Sequence, residues 1–306
     1  MHALLRGKCE NMDGFINILK PPGMTSSDAV LAVRRLLPRK TAVGHGGTLD
    51  PDAAGVLPVC VGKATRLFDY IIDKKKVYVG ELCLGQSTDT CDASGKVIET
   101  KTDIPNAEDV KGALSHFVGD IMQTPPVYSA LKRGGKKLYE LAREGEEVEI
   151  EPRQVTVHGI TYITETAPGR HLIRIECGKG VYIRSLMRDI GAFLSCPAHM
   201  SFLLREAAGA FTTETGFSIE EIKRPGAIEK ALQPMDALLG AYQRIDVKSE
   251  YRKRIECGNP VKEEWLLSPS MPDVNVVRVY VDDEFAGMAE RRDGNVFAFR
   301  AMLLNI

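Results

Sequence analysis

The spacing of apolar positions changes twice within the first forty residues. GFINIL (14–19) is a short apolar-rich run, which predicts a strand, and Lys20-Pro21-Pro22-Gly23 closes it with a strong turn signal. In SSDAVLAVRRLLP the apolar residues Ala29, Val30, Val33, Leu36 and Leu37 share one helical face. Ser26 or Ser27 is the expected cap and Pro38 the stop. A glycine-rich segment follows, and then VLPVCVG, which reads as a buried strand or the start of a helix.

Alternation returns in VYVGELCLG (77–85), a strand that would turn Tyr78, Gly80, Leu82 and Leu84 to one side. Residues 107–118 form an amphipathic pattern, with Asn106 as cap and Gly119 as stop. Two further strands are expected at 153–163 and 171–178. In the second, Ile173, Ile175 and Cys177 oppose Arg174 and Glu176. GKGVYIRSLMRDIGAFL turns at Gly178 and Gly180 and enters a helix. Arg184 and Arg188 lie four apart on one face of it, and Leu186, Met187, Ile190 and Phe193 supply its core side. Ser218 and Glu221 make a capping box for another helix.

From residue 245 the pattern becomes short strands separated by turns, with Asp293-Gly294 as a hairpin signal. The sequence therefore predicts an α+β domain over 14–244, with a mixed, largely antiparallel sheet and flanking helices. A small all-β module over 245–306 follows it, and 1–13 is an N-terminal extension. No internal repeat interrupts this order.

Composition narrows the class. At 44% hydrophobic and 26% charged, the chain has the balance of a globular protein, and no apolar run is long enough to span a bilayer. MHALLRGKCENMDGF has too short an apolar core for a secretory signal, and either Met1 or Met12 is compatible with a start. Cys9, Cys60, Cys83, Cys91, Cys177, Cys196 and Cys257 form no C-x-x-C pair, which points to a reducing cytoplasm rather than a disulfide framework or a zinc cluster. The net charge of −1 gives no global case for nucleic acid. The charges are nevertheless segregated: KRGGKK (132–137) is basic and EGEEVEIE (144–151) acidic. Charge alone favours solvated loops for both.

The most constrained stretch is GHGGTLDPDAAGVLP (44–58). Its glycines permit backbone angles closed to other residues, and Pro51 biases Asp50 toward extended geometry. Asp50 could cap a helix through Ala53-Ala54, bind a metal with His45 and Asp52, or act as a catalytic carboxylate. The absence of a second nearby histidine argues against a metal, and no Gly-Lys-Ser/Thr enters a helix to cradle phosphate. A catalytic carboxylate and a structural turn both remain open on these residues.

LKPPGMTSSD, GHGGTLDPDAAGVLPV, KATRL, Lys76-Val77-Tyr78, QTPPVYSALK-x-x-G-x-x-LYELAR and GVYIRSLMRDIG occur in this order. Together they resemble the bacterial tRNA pseudouridine synthase B family, whose members isomerise a uridine in the T-loop of tRNA. The resemblance runs from Gly14 to the C-terminus and implies the pseudouridine synthase fold with a PUA-like C-terminal module. It implies Asp50 as the catalytic residue. Tyr78 would stack on the target base near the proton that leaves C5, Arg184 would pair with Asp50, and Tyr182 would help build the pocket. His45 would contact the RNA, and Lys20 would support the turn. The resemblance implies a tRNA T-stem-loop as partner, no cofactor or metal, no membrane, and a monomer in the cytoplasm. Gly46 departs from the family, which most often carries threonine there.

On that reading Lys132, Arg133, Lys136, Lys137 and Arg143 become candidate phosphate contacts. Two other functions compete with it. A non-catalytic tRNA-binding or tRNA-folding protein on the same fold would not need Asp50, Tyr78 and Arg184 together. A metal-dependent hydrolase built on His45, Asp50 and Asp52 would lose activity to a chelator.

Overall fold

A computed structural model of the chain describes residues 12–72, 75–129, 132–133, 136–137 and 150–304, with the backbone alone at 72, 132–133 and 136–137. In chain order the first half comprises β1 (Gly14–Lys20), α1 (Ser26–Arg34), β2 (Val43–His45), β3 (Ala54–Val61), α2 (Phe68–Ile72) and β4 (Lys76–Leu84). The paired strands β5 (Gln86–Thr88) and β6 (Val97–Thr100), helix α3 (Ala107–Leu114) and β7 (Gly119–Gln123) follow. Then come the paired β8 (Lys132–Arg133) and β9 (Lys136–Lys137), β10 (Arg153–Ala167), β11 (Arg170–Cys177), α4 (Ile183–Phe193) and β12 (Ala198–Ala208). Short elements close this part: β13 (Phe211–Thr212), β14 (Phe217–Ser218), α5 (Ile219–Ile222), α6 (Ala227–Ala231) and β15 (Leu232–Gln233).

The main sheet runs β14-β1-β3-β12-β4-β11-β10-β7, with β2 on β3, β13 on β12 and β15 on β1. Only β1·β14 and β3·β12 are parallel, so the α+β reading with a mixed, largely antiparallel sheet holds. The ambiguous VLPVCVG is a strand. Leu57, Val59 and Val61 enter one hydrophobic cluster, and Val56 and Cys60 enter the cluster on the opposite face. Both faces are covered, so the strand is apolar throughout and shows no alternation to the eye.

Three local readings change. The cap of α1 is Thr25, which makes a capping box with Asp28. Ser26 is drawn inward instead: its Oγ accepts from Leu49 N at 2.9 Å and donates to Leu49 O at 3.0 Å. The residues after Asp50 do not form a helix, because Ala54 already begins β3. Phe193 is 53% exposed, not core; its ring lies 4.5 Å from that of His116 at the end of the α3 segment.

The C-terminal sheet orders β16 (Gln243–Val247), β17 (Val276–Val281), β18 (Glu284–Arg292) and β19 (Val296–Met302), with helix α7 (Arg252–Glu256) between its first two strands. Asp293-Gly294 does turn the last hairpin, with Gly294 and Asn295 at positive φ. The module has its own core around Val247, Trp265, Val279 and Phe297. Met288, Ala301 and Leu303 instead join the cluster of Phe15, Val56 and Leu67. Lys63 Nζ donates to Leu303 O at 2.8 Å and Arg66 Nη1 to Met302 O at 3.0 Å, so the module is seated on the back of the main sheet.

Two glycines lie where elements of the cleft come close. A Cβ on Gly80 would lie 2.7 Å from Met187 Cε, the flexible end of a side chain from α4, which packs against β4. Gly55 stands at φ +104°, where β3 pairs with β12, and a Cβ there would lie 2.3 Å from Arg205 O. Neither the angle nor the backbone contact can be relieved by a rotamer change. Gly55→Ala is therefore expected to lower stability by about 3 kcal/mol or more, read as a fall in the thermal unfolding midpoint.

Candidate functional site

Asp50 occupies the turn that joins β2 to β3, at the mouth of the sheet. The turn is held by side chains from distant parts of the chain. Lys20, almost wholly buried at the end of β1, donates from Nζ to Pro21 O at 2.9 Å, Met24 O at 2.7 Å and Pro51 O at 2.9 Å. Burial lowers its ammonium to about 8, against the pull of Asp52 and Asp50. Gly23 N adds a bond to Pro51 O at 3.0 Å, and Ser26 holds Leu49 as described above. The sequence reading of Lys20 as a support of the turn matches this geometry.

Arg184, near the start of α4, meets the Asp50 carboxylate with two nitrogens. Nε lies 2.8 Å from Oδ2 and Nη2 lies 3.2 Å from Oδ1. This fork-to-carboxylate contact is the geometry for which a guanidinium is suited and an ammonium is not. Arg184 is 7% exposed at its side chain, and its other donors are also used. Nη2 reaches Tyr128 O at 3.0 Å, and Nη1 reaches Thr90 O at 3.2 Å and Asp92 Oδ2 at 3.4 Å. The guanidinium thus has no freedom to swing away from Asp50.

The Asp50 side chain is 37% exposed along the open side of the turn, while protein surrounds the rest of it. Burial raises its pKa, Arg184 pulls it back down, and the Asp92 carboxylate raises it again. The balance is upward, and the ion pair limits the rise that desolvation causes.

Tyr78 lies on β4 and is 7% exposed. Burial raises its phenol, and the positive charge of Arg205 opposes that rise. Tyr182 immediately precedes α4. Its backbone is clamped by the buried Gln123 side chain: Tyr182 N donates to Oε1 at 2.8 Å, and Nε2 donates to Tyr182 O at 3.1 Å. Burial raises the Tyr182 phenol as well. His45 ends β2, one strand register from the turn. Burial lowers its pKa, with Arg205 adding to the effect, so the ring is neutral near pH 7. Its Nδ1 is buried without a hydrogen-bond partner among the described residues.

All six residues expected from the sequence, Lys20, His45, Asp50, Tyr78, Tyr182 and Arg184, therefore meet around one cleft. Three that the sequence reading missed belong to the same network: Asp92, Gln123 and Arg205. Asp92 was hidden in a polar loop, STDTCDASGK, whose turn residues give no sign of where they point. Arg205 interrupts the alternation of β12 without a motif around it. Gly46, the departure from the family pattern, has a local reason: a Cβ there would lie 2.6 Å from Ile71 Cδ1, so Ile71 fills the space a larger residue would need. Arg143 lies outside the described residues, and Lys132, Arg133, Lys136 and Lys137 are described by backbone alone.

Comparison with known proteins places this cleft in context. Residues 34–183 match the model of the TruB family pseudouridylate synthase N-terminal domain. Residues 184–240 match that of the tRNA pseudouridylate synthase B C-terminal domain. The chain is 44% identical to the tRNA pseudouridine synthase B of Alkaliphilus oremlandii over 90% of its own length and 92% of that protein's. It is 49% identical to the tRNA pseudouridine synthase B of Caldanaerobacter subterraneus over 75% of its length and 79% of the relative's. Among solved structures, an H/ACA ribonucleoprotein bound to a substrate RNA containing 2′-deoxyuridine contains a chain of the same fold. Its TM-score is 0.73 at 23% identity, covering 96% of this chain and 86% of that one.

Proposed function

We propose, since the chain belongs to the TruB family of pseudouridylate synthases, that it isomerises the T-loop uridine of tRNA to pseudouridine with Asp50 as catalyst. The carrying observation is the two-nitrogen contact between Arg184 and Asp50 beside the buried ring of Tyr78. In the reaction the bond from uracil N1 to the ribose breaks, the base turns, C5 bonds to the ribose, the C5 proton leaves and N1 takes up a proton. Product and substrate are isomers, so the chemistry consumes no second substrate. Asp50 supplies the anionic oxygen that starts the exchange, and Arg184 keeps it ionised without competing for both its lone-pair directions.

A base inside a folded loop must leave its stack before it can reach Asp50. Stacking on an aromatic ring contributes about 1–3 kcal/mol, comparable to the cost of unstacking, and Tyr78 is the ring placed to do this. Tyr182 closes the same pocket, and His45 lies beside it at the end of β2. Residues 14–244 serve as the catalytic domain and 245–306 as a PUA-like RNA-binding domain. The enzyme acts as a cytoplasmic monomer, and no helix among the described residues is long and apolar enough to cross a membrane. The intact Asp50–Arg184 pair disfavours a purely non-catalytic tRNA-binding role.

The test is tritium release from a tRNA transcript labelled at C5 of its uridines, compared with a transcript whose T-loop uridine is replaced by cytidine. Release from the first and none from the second supports the assignment; equal release from both overturns the T-loop as target. Charge reversal of Lys136 and Lys137 together is expected to weaken tRNA binding and make its log–log salt dependence shallower by about 1.5 units, as the loss of two phosphate contacts requires. Filter binding across a salt series measures it.

A further inference from the structure

Helix α4 carries Arg184, yet it begins without a capping side chain of its own. Tyr182 occupies the cap position, and its side chain makes no bond to the first turn. What holds the start of the helix comes from 59 positions earlier in the chain. Gln123 ends β7, where its backbone pairs with Arg153 of β10 at the edge of the main sheet. Its side chain is buried and turns onto α4. Oε1 accepts from Tyr182 N, and Nε2 donates to Tyr182 O. One side-chain amide thus engages both backbone groups of the cap residue. The same Tyr182 carbonyl accepts from Leu186 N at 3.0 Å, in the first turn of the helix.

The residues after Gln123 continue along the same helix. Thr124 O accepts from Ser185 Oγ at 2.8 Å and from Arg188 Nη2 at 3.1 Å. Tyr128 O accepts from Arg184 Nη2 at 3.0 Å. Residues 123–128 therefore form a strap over the start of α4, tied at Tyr182, Arg184, Ser185 and Arg188. The rest of the helix's seat is apolar, through the buried Leu186, Met187 and Ile190. Apolar contacts are non-directional and tolerate small slides and rotations, whereas hydrogen bonds fix both. The fork of Arg184 on Asp50, with its contacts at 2.8 and 3.2 Å, needs that precision. A slide of about 1 Å would break at least one of the two.

We infer that Gln123 is a positioning residue for uridine isomerisation: by gripping the backbone of Tyr182 from the edge of the sheet, it sets the start of α4 and through it the alignment of the Arg184 fork on Asp50. Its own bonds go to neither Arg184 nor Asp50. The inference rests on the reading of Asp50 as catalyst. An Asp50→Asn enzyme that still released tritium would remove that reading, whereas the cycle below can fail with that reading intact.

The test is a double-mutant cycle of Gln123→Met and Arg184→Lys, measured as single-turnover tritium release at saturating enzyme, with the tRNA Kd taken separately by filter binding. Rates are taken well below the unfolding midpoint of every variant, so that a lower midpoint alone does not move them. Gln123→Met keeps the length of the side chain and removes both bonds to Tyr182. Its Kd is expected to stay within about twofold of wild type while its rate falls roughly fivefold or more, because misplacing a catalytic group costs rate and not binding. In the Arg184→Lys background the fork that Gln123 aligns is already gone, so adding Gln123→Met should cost markedly less than it does alone. A smaller fall in rate, losses that multiply in the double variant, or a Kd that weakens in step with the rate would each overturn the proposal. Should Gln123→Met fail to fold, Gln123→Glu, which keeps an acceptor for Tyr182 N and lacks the donor for Tyr182 O, carries the same cycle. Failure of both variants to fold would overturn it in favour of a purely structural role.

Discussion

Asp50→Asn is expected to lower tritium release from C5-labelled tRNA by about 10³-fold or more, with the tRNA Kd and the unfolding midpoint close to wild type. The substitution is nearly isosteric, so Lys20, Ser26 and Gly23 still hold the turn through backbone carbonyls and amides that the change does not touch. What is lost is the charge. An amide presents one oxygen to the Arg184 fork and turns its NH2 toward donors that have no use for it. It is also a poor nucleophile and a poor base. EDTA present in both reactions separates this reading from a hydrolase built on His45, Asp50 and Asp52. Activity retained by the variant would make Asp50 a structural residue of its turn and would move function to binding.

Arg184→Met is expected to have an effect of similar size, with a different signature. It removes the cation that pulls the Asp50 pKa down and leaves burial and Asp92, both of which push it up. The active form is the carboxylate, so the rising limb of the pH–rate profile should move to higher pH, and the residual activity should climb with pH where the wild type is already flat. The variant also leaves the carbonyls of Thr90 and Tyr128 without their donor, so a lower unfolding midpoint is expected alongside the rate loss. Arg184→Lys separates charge from shape. It should keep the rising limb near its wild-type position and lose rate, because an ammonium cannot meet both carboxylate oxygens at once. A rising limb that stays in place for Arg184→Met would show that the ion pair does not govern the ionisation of Asp50.

The two variants also separate two jobs within one pair. Asp50 is expected to act on the substrate, whereas Arg184 acts on Asp50 and on the loop that carries Thr90 and Asp92. A single buried guanidinium thereby contacts both the Asp50 carboxylate and the loop of Thr90 and Asp92.

Much of this was legible without coordinates. The turn after β1, the strand at Tyr78, the cap at Asn106, the capping box at Ser218 and the hairpin at Asp293-Gly294 follow from residue types at short separations. The motif order named the six residues that the fold brings round one cleft. Where the reading slipped, a longer-range contact had displaced a local preference. Ser26 had every qualification for a cap, yet Leu49 of the catalytic turn engages it, and Thr25 takes the cap. Phe193 fell on the apolar face of its helix, but it is half exposed and its ring meets His116 and Phe117 instead.

The sequence by itself determined most of the elements and their order, because helix and strand periods, caps and turns depend on neighbours within a few positions. Only the tertiary structure decided the ionic and hydrogen-bonded frame of the site. Arg184 reaches Asp50 across 134 positions and Arg205 reaches Gly47 across 158. Whether an arginine is a solvated surface residue or the buried partner of a carboxylate depends on which strands stand side by side. That is settled by the pairing of β12 with both β3 and β4 and by the approach of α4 over Gly80, neither of which leaves a mark in the local spacing of residues.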